Sequence, residues 1–169
     1  RADYSLLSPL IKKINYKKQL SLILVAGGNH FSKKYGNTIK EIANDKIKIN
    51  YSFKFTAKST SQNEILNYIG RSLPHYNNFF EKTKPDLVVV LGDRYEAYSF
   101  SLSAFLSNIK ICHIHGGEVT TGAYDDALRH GITKFSNIHF VCHNKYKKRV
   151  IQLGENPDTV FNVGSPAVE

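Results

Sequence analysis

Asp86-Leu-Val-Val-Val-Leu-Gly-Asp-Arg94 and Lys110-Ile-Cys-His-Ile-His-Gly-Gly-Glu118 set the pattern of this chain. Each begins as an apolar run of strand length and ends in charged residues beside glycine. A helical pattern runs from Tyr95 to about Ser107 between them. A small polar loop, Val119 to Tyr124, follows the second run and leads to Asp125-Asp-Ala-Leu-Arg-His130, which reads as a helix start. Strand, charged loop and helix thus occur in succession. In open parallel α/β sheets the ligand crevice lies at the carboxyl ends of the strands. Asp93, Arg94, His115, Glu118, Asp125, Arg129 and His130 are therefore expected on one rim.

The pattern extends in both directions. Tyr4 to Asn15 carries a helical apolar stripe, with Asp3 as its N-cap and Pro9 near its start. Leu20 to Ala26 reads as a buried strand closed by Gly27-Gly28-Asn29. Ser32 to Ala43 is a weaker helix interrupted at Gly36-Asn37. Ile47 to Phe55 alternates with period two, and Ser61 to Lys82 is a helix that Pro74 is expected to bend or break. After the Asp125 helix, which runs to about Phe135, come a strand at Ile138 to Cys142 and a helix at Lys145 to Leu153. Gly154 stops that helix, and a last strand follows at Thr159 to Val163. Strands alternating with helices predict an α/β fold with a parallel sheet.

The chain has 169 residues and a formal net charge of +9, with 23 Lys and Arg against 14 Asp and Glu. The lysines are scattered, no nucleic-acid motif accompanies them, and a solvated basic surface explains them. No apolar run approaches the ~20 residues of a membrane helix. The N-terminus lacks the basic-then-apolar layout of a secretory leader. Cys112 and Cys142 fall in strand-like runs and read as reduced core thiols of a cytoplasmic protein. The chain contains no methionine and opens at a loop-to-helix junction. It is expected to be a fragment, with a first strand upstream of Arg1 and a further domain beyond Val163.

Two readings of the charged residues stand side by side. Asp93 either positions a ligand and works as a base, or caps the helix from Tyr95 while Arg94 pairs with a carboxylate. His113 and His115, two apart on a strand, should face the same way. Their spacing matches no structural zinc pattern, so no metal is assigned. Gly116-Gly117 allows close backbone approach to a ligand. Asp125 and Asp126 suit a helix N-terminus, with Arg129 and His130 one turn on. Acids, imidazole and cations arriving from separate strand ends favour an enzyme over capping alone. No Gly-x-Gly-x-x-Gly, phosphate-loop lysine or Gly-x-Ser-x-Gly occurs, which disfavours NAD enzymes, P-loop ATPases and serine hydrolases.

With these residues in view, the chain resembles the hydrolysing UDP-N-acetylglucosamine 2-epimerases of sialic acid biosynthesis. The resemblance is carried by Arg1-Ala-Asp-Tyr-Ser-Leu-Leu7, Tyr35-Gly-Asn-Thr-Ile39, Val90-Leu-Gly-Asp-Arg-Tyr-Glu96 and His113-Ile-His-Gly-Gly-Glu118. Asp125-Asp-Ala-Leu-Arg-His130, Ile132-Thr-Lys134, Val150-Ile-Gln-Leu-Gly-Glu155 and Phe161-Asn-Val-Gly-Ser165 complete it. It implies a Rossmann-like parallel sheet with helices on both faces, the N-terminal half of a GT-B-type two-domain fold. It also implies elimination of UDP across C1–C2 to a glycal, then water addition with the opposite configuration at C2, with no redox cofactor and no metal.

Asp93, the Glu118 loop and Asp125 then correspond to acidic catalytic positions. His115 stands where several relatives have a glutamate, so either His115 or Glu118 does the acid–base work. Arg1, Ser5 and Arg94 correspond to substrate or UDP contacts, and Arg129 and His30 to sugar contacts. Asp126 and His130 are counted with the substrate-binding residues. The implied partner is a UDP-sugar, with no nucleic acid or membrane. The intact protein is expected to be a homo-oligomer, and the isolated fragment inactive. Relatives acting on diacetamido sugars, non-hydrolysing epimerases, GT-B glycosyltransferases and a non-catalytic sugar-nucleotide module are the alternatives.

Overall fold

The structure, a computed structural model, describes residues 3–31, 39–121 and 124–166. The chain divides into two compact units, residues 1–60 and 61–169. Every strand pairing among the described residues is parallel. No helix among them is long and apolar enough to cross a membrane.

The first unit contains helix α1 (Asp3–Tyr16), strand β1 (Val25–Gly27), a 3₁₀ turn at Gly28–Phe31, helix α2 (Ile39–Asn44) and strand β2 (Tyr51–Phe53). Its core gathers Tyr4, Ile11, Ile42 and Ile47, with Leu7, Leu22, Leu24 and Ile49 packed against them. The Tyr4 hydroxyl donates to Asp45 at 2.7 Å, and Lys12 pairs with the same carboxylate at 2.8 Å, tying α1 to the end of α2. Both strands are shorter than their apolar runs. The ladder stops where the Asn50 side chain, rather than backbone, accepts from the Leu24 N–H at 2.8 Å. Asp3 is the first residue of α1 and not the residue before it, and Tyr35 to Thr38 of the Tyr35–Ile39 motif, with the start of the Ser32 helix, lie outside the described residues.

The second unit contains α3 (Gln62–Thr83), β3 (Leu87–Leu91), α4 (Tyr95–Leu106), β4 (Lys110–Ile114), α5 (Asp125–Phe135), β5 (Ile138–Val141), α6 (Asn144–Gln152) and, after a 3₁₀ turn, β6 (Val160–Asn162). Ser61 begins α3, its hydroxyl accepting from the Glu64 N–H at 3.4 Å, a serine-to-glutamate spacing typical of helix starts. Lys84 ends it in the left-handed region. Pro74 lies inside α3 without ending it. Its missing donor faces the carbonyl of Gly70, and an inward aromatic face holds the helix in place. Tyr68 and Tyr76 share a 2.8 Å hydroxyl contact, and Phe100 of α4 lies 4.8 Å from Phe80 and 5.0 Å from Tyr76. Ser99, Ser101 and Ser103 of α4 are buried as well.

Strands β3–β4–β5–β6 form one sheet in that order. Val88 and Val90 are buried, but Leu87 and Val89 are 42% and 36% exposed, so β3 is not covered on both faces as its uniformly apolar run suggests. β3 is an edge strand here, and edge strands lack a neighbour's side chains. The register pairs Leu91 with Ile114 and Ile114 with Phe140. The ladder then runs on past the strands, with Gly92 N–H donating to Ile114 O and His115 N–H to Phe140 O, both at 3.0 Å. The carboxyl ends of β3, β4 and β5 are thereby flush, and the residues that follow them emerge side by side.

Ser61→Ala should lower stability by about 1 kcal/mol. The check is a lower urea midpoint with an unchanged m-value; an unchanged midpoint would mean that the cap contributes nothing.

Candidate active site

The flush rim gathers its charges around one buried cation. Arg129 sits one turn into α5 and is 5% exposed. Its Nη2 bonds Asp93 Oδ2 and donates to Thr120 Oγ1 at 3.1 Å. Its Nη1 donates to His115 O at 2.8 Å and lies 3.6 Å from Glu118 Oε2. A buried guanidinium is tolerated only when paired and hydrogen-bonded. That requirement draws the segments after β3 and β4 onto α5.

Asp93 therefore does not cap α4. The N-cap is Arg94, without a side-chain cap bond. Arg94 forms a two-pronged pair with Glu96, at 3.0 and 2.8 Å. Thr120 also donates to Asp93 Oδ2 at 3.3 Å, and its backbone N–H donates to Asp126 Oδ1 at 3.0 Å. Asp126 lies 3.5 Å from His130 Nε2 across one helical turn. Asp125 and Asp126 lie in the first turn of α5 and neither is its N-cap: that residue is Tyr124, whose side chain makes no cap bond. Burial, and then the negative charge of Asp93, raise the Asp125 carboxyl above its ordinary pKa.

His115 and His113 diverge. The strand ends at Ile114, and His115 adopts φ 66°, so strand alternation no longer applies to it. A non-glycine residue in that region is strained and held by its surroundings. Its Nδ1 lies 3.0 Å from Glu118 Oε1, while its buried Nε2 has no hydrogen-bond partner among the described residues. The His115 contact leads the causes that lower the Glu118 pKa, with Cys142 and Arg129 adding to it. His113 is fully buried, its Nε2 2.8 Å from Gly92 O and Nδ1 3.2 Å from Thr133 Oγ1. Burial pushes its pKa down to about 3, so it is a neutral link between β3, β4 and α5.

The glycines before Glu118 serve packing against protein. A Cβ on Gly117, at φ 75°, would meet the Tyr146 carbonyl at 2.6 Å and Val150 Cγ2 at 2.8 Å. Arg149 of α6 bonds the Gly117 carbonyl and fixes the loop from below. Cys142 is not a core thiol. β5 ends before it, and its Sγ lies 3.0 Å from Glu118 Oε1. Thr120 and Cys142 are the rim residues that sequence reasoning missed. Counting positions past each strand would have found Cys142, which follows Val141 as His115 follows Ile114.

Arg1 lies outside the described residues. Ser5 and His30 belong to the first unit, in α1 and the 3₁₀ turn after β1. A hollow of about 450 Å³ is lined by Asn77, Phe80, Lys84 and Asn108, at the amino ends of β3 and β4; another, of about 570 Å³, lies among lysines at the end of α1. Neither contains a candidate residue. No group of three or more metal-ligating side chains occurs among the described residues.

The family model for UDP-N-acetylglucosamine 2-epimerase matches residues 12–169. The chain belongs to this family. It is 41% identical to the polysialic acid biosynthesis protein P7 of Escherichia coli over 169 residues, which is all of this chain and 43% of that protein. It is also 41% identical to the hydrolysing GDP/UDP-N,N'-diacetylbacillosamine 2-epimerase of Campylobacter jejuni, over 99% of this chain and 43% of that protein. The Methanocaldococcus jannaschii UDP-N-acetylglucosamine 2-epimerase, solved with UDP-N-acetylglucosamine and UDP, superposes with a TM-score of 0.84. That alignment has 20% identity and covers 98% of this chain and 44% of that one. The shared architecture is the Rossmann-like part of a GT-B-type fold. The chain spans less than half the length of these relatives.

Arg129→Met should destabilise the protein by about 3 kcal/mol, because Asp93 loses its buried partner. Adding Asp93→Asn should return part of that loss in urea unfolding. A double variant as unstable as the sum of both singles would contradict the pairing.

Proposed function

We propose that the intact protein is a hydrolysing UDP-N-acetylglucosamine 2-epimerase that yields UDP and N-acetylmannosamine for sialic acid biosynthesis. This chain is its N-terminal Rossmann-like domain, a second domain supplies most of the nucleotide pocket, and the fragment alone is inactive. The protein works in the cytoplasm as a homo-oligomer. The observation that carries the reading is the convergence of Asp93, His115 and Glu118 on Arg129, in a chain of this family.

The chemistry needs a proton taken from C2 and a proton returned to its opposite face. A single base would hand the proton back to the side it came from, so two groups are required. His115 and Glu118 form one of them. The carboxylate holds Nδ1, leaving Nε2 to take the C2 proton as the C1–O bond breaks toward UDP. Asp125 is the other. Its raised pKa favours the neutral carboxyl, which donates to C2 as water adds at C1. Asp93 positions the sugar, Arg129 acts on the carboxylates, and Arg94 receives a charged group of the substrate. Asp126 and His130 border the sugar from α5.

The Campylobacter relative, equally similar, supports a second reading in which the sugar is N,N'-diacetylbacillosamine. Incubation of the intact protein with each UDP-sugar separates them, the expected products being N-acetylmannosamine and UDP. Release of UDP from the diacetamido sugar alone selects the second reading, and a UDP-linked epimer would overturn hydrolysis.

Asp93→Asn and Asp125→Asn should each lower kcat by at least about 100-fold with folding retained. Because Asp125 works protonated, the rate should fall as pH rises through its raised pKa. That limb should be missing from the residual rate of Asp125→Asn.

A further inference from the structure

We propose that Cys142 is a positioning residue for Glu118, its thiol holding Oε1 so that the His115–Glu118 pair keeps a single geometry. This deepens the reading given above and rests on it. Glu118 stands beyond two glycines on a loop, and a glutamate side chain has several rotatable bonds. Its backbone is fixed by the packing of Gly117 on α6 and by Arg149. Neither contact touches the carboxylate.

The carboxylate is held from three sides. His115 Nδ1 and Cys142 Sγ both lie 3.0 Å from Oε1, and Arg129 Nη1 lies 3.6 Å from Oε2. The imidazole is chemically active and changes charge during turnover. The thiol does not. Burial, followed by the contact with Glu118, pushes Cys142 up to about 11, so the S–H stays a donor throughout the working range. It follows the last residue of β5, a separate strand, and the flush register sets it beside the His115 loop, where His115 N–H donates to Phe140 O at 3.0 Å. Cys142 thus holds Glu118 in place while His115 carries the proton.

The test uses the intact protein with UDP-N-acetylglucosamine. Cys142→Ala should lower kcat roughly three- to tenfold, because a thiol is a weak donor, with KM within about twofold. Cys142→Ser restores a donor and should recover turnover to within about twofold. In a Glu118→Gln background Cys142→Ala should cost nothing more. A contact readout independent of turnover is alkylation by iodoacetamide at pH 8. Glu118→Gln removes the charge that holds the thiol proton, so Cys142 should react roughly three- to tenfold faster, with fully buried Cys112 as the silent control.

Wild-type kcat in Cys142→Ala, the same loss in the Glu118→Gln background, failure of serine to rescue, or unchanged alkylation would each overturn the proposal. Wild-type turnover in Glu118→Gln itself would instead remove the reading of the His115–Glu118 pair, and the proposal with it.

Discussion

The arrangement of the rim depends on one buried guanidinium. Arg129 carries a charge that the interior accepts only when it is paired, and its two Nη groups make those contacts while its Nε has no hydrogen-bond partner among the described residues. The planar fork of an arginine sends its donors in fixed directions. Nη2 faces Asp93 and Thr120, and Nη1 faces the His115 carbonyl and Glu118. The separation of the two carboxylates is therefore set by the width of a guanidinium. A lysine ammonium offers a single point of charge and would leave that separation loose. Stability and the placement of the acids share one interaction here, which explains why acids from two different crossovers meet at all.

The sheet supplies the other half of the constraint. Parallel strands held in register end together, and each crossover begins at that same level. The loop after β4 cannot drift outward, since Gly117 lies against the backbone of α6 with no room for a side chain. Strain at His115 is sustained by the same enclosure. Backbone packing thus places the segment, and side-chain contacts from Arg129, His115 and Cys142 orient its acid.

Much of this architecture is legible in the residues themselves. Lys110–Ile114 and Asp125–Phe135 have the bounds that an apolar run and an acidic helix start predict. The choice between a capping and a site role for Asp93 is not legible there, because its partner lies 36 positions away. β1 and β2 are shorter than their runs because a ladder needs a partner as well as propensity, and Asn50 ends it. Strand alternation wrongly sets His115 on the same face as His113, because nothing local announces a left-handed turn one position past Ile114. Thr120 resembles loop filler, and Cys142 resembles core, since each acquires its meaning from a residue on another segment.

The two histidines inside the sheet have a separate consequence. His113 and His139 are register partners on β4 and β5, and both are wholly enclosed. Burial lowers the pKa of each, against the opposing pull of Glu155, which lies 3.3 Å from His139 Nε2. His113, pushed down to about 3, stays neutral under mild acidification, so the link it makes between Gly92 and Thr133 keeps its charge state.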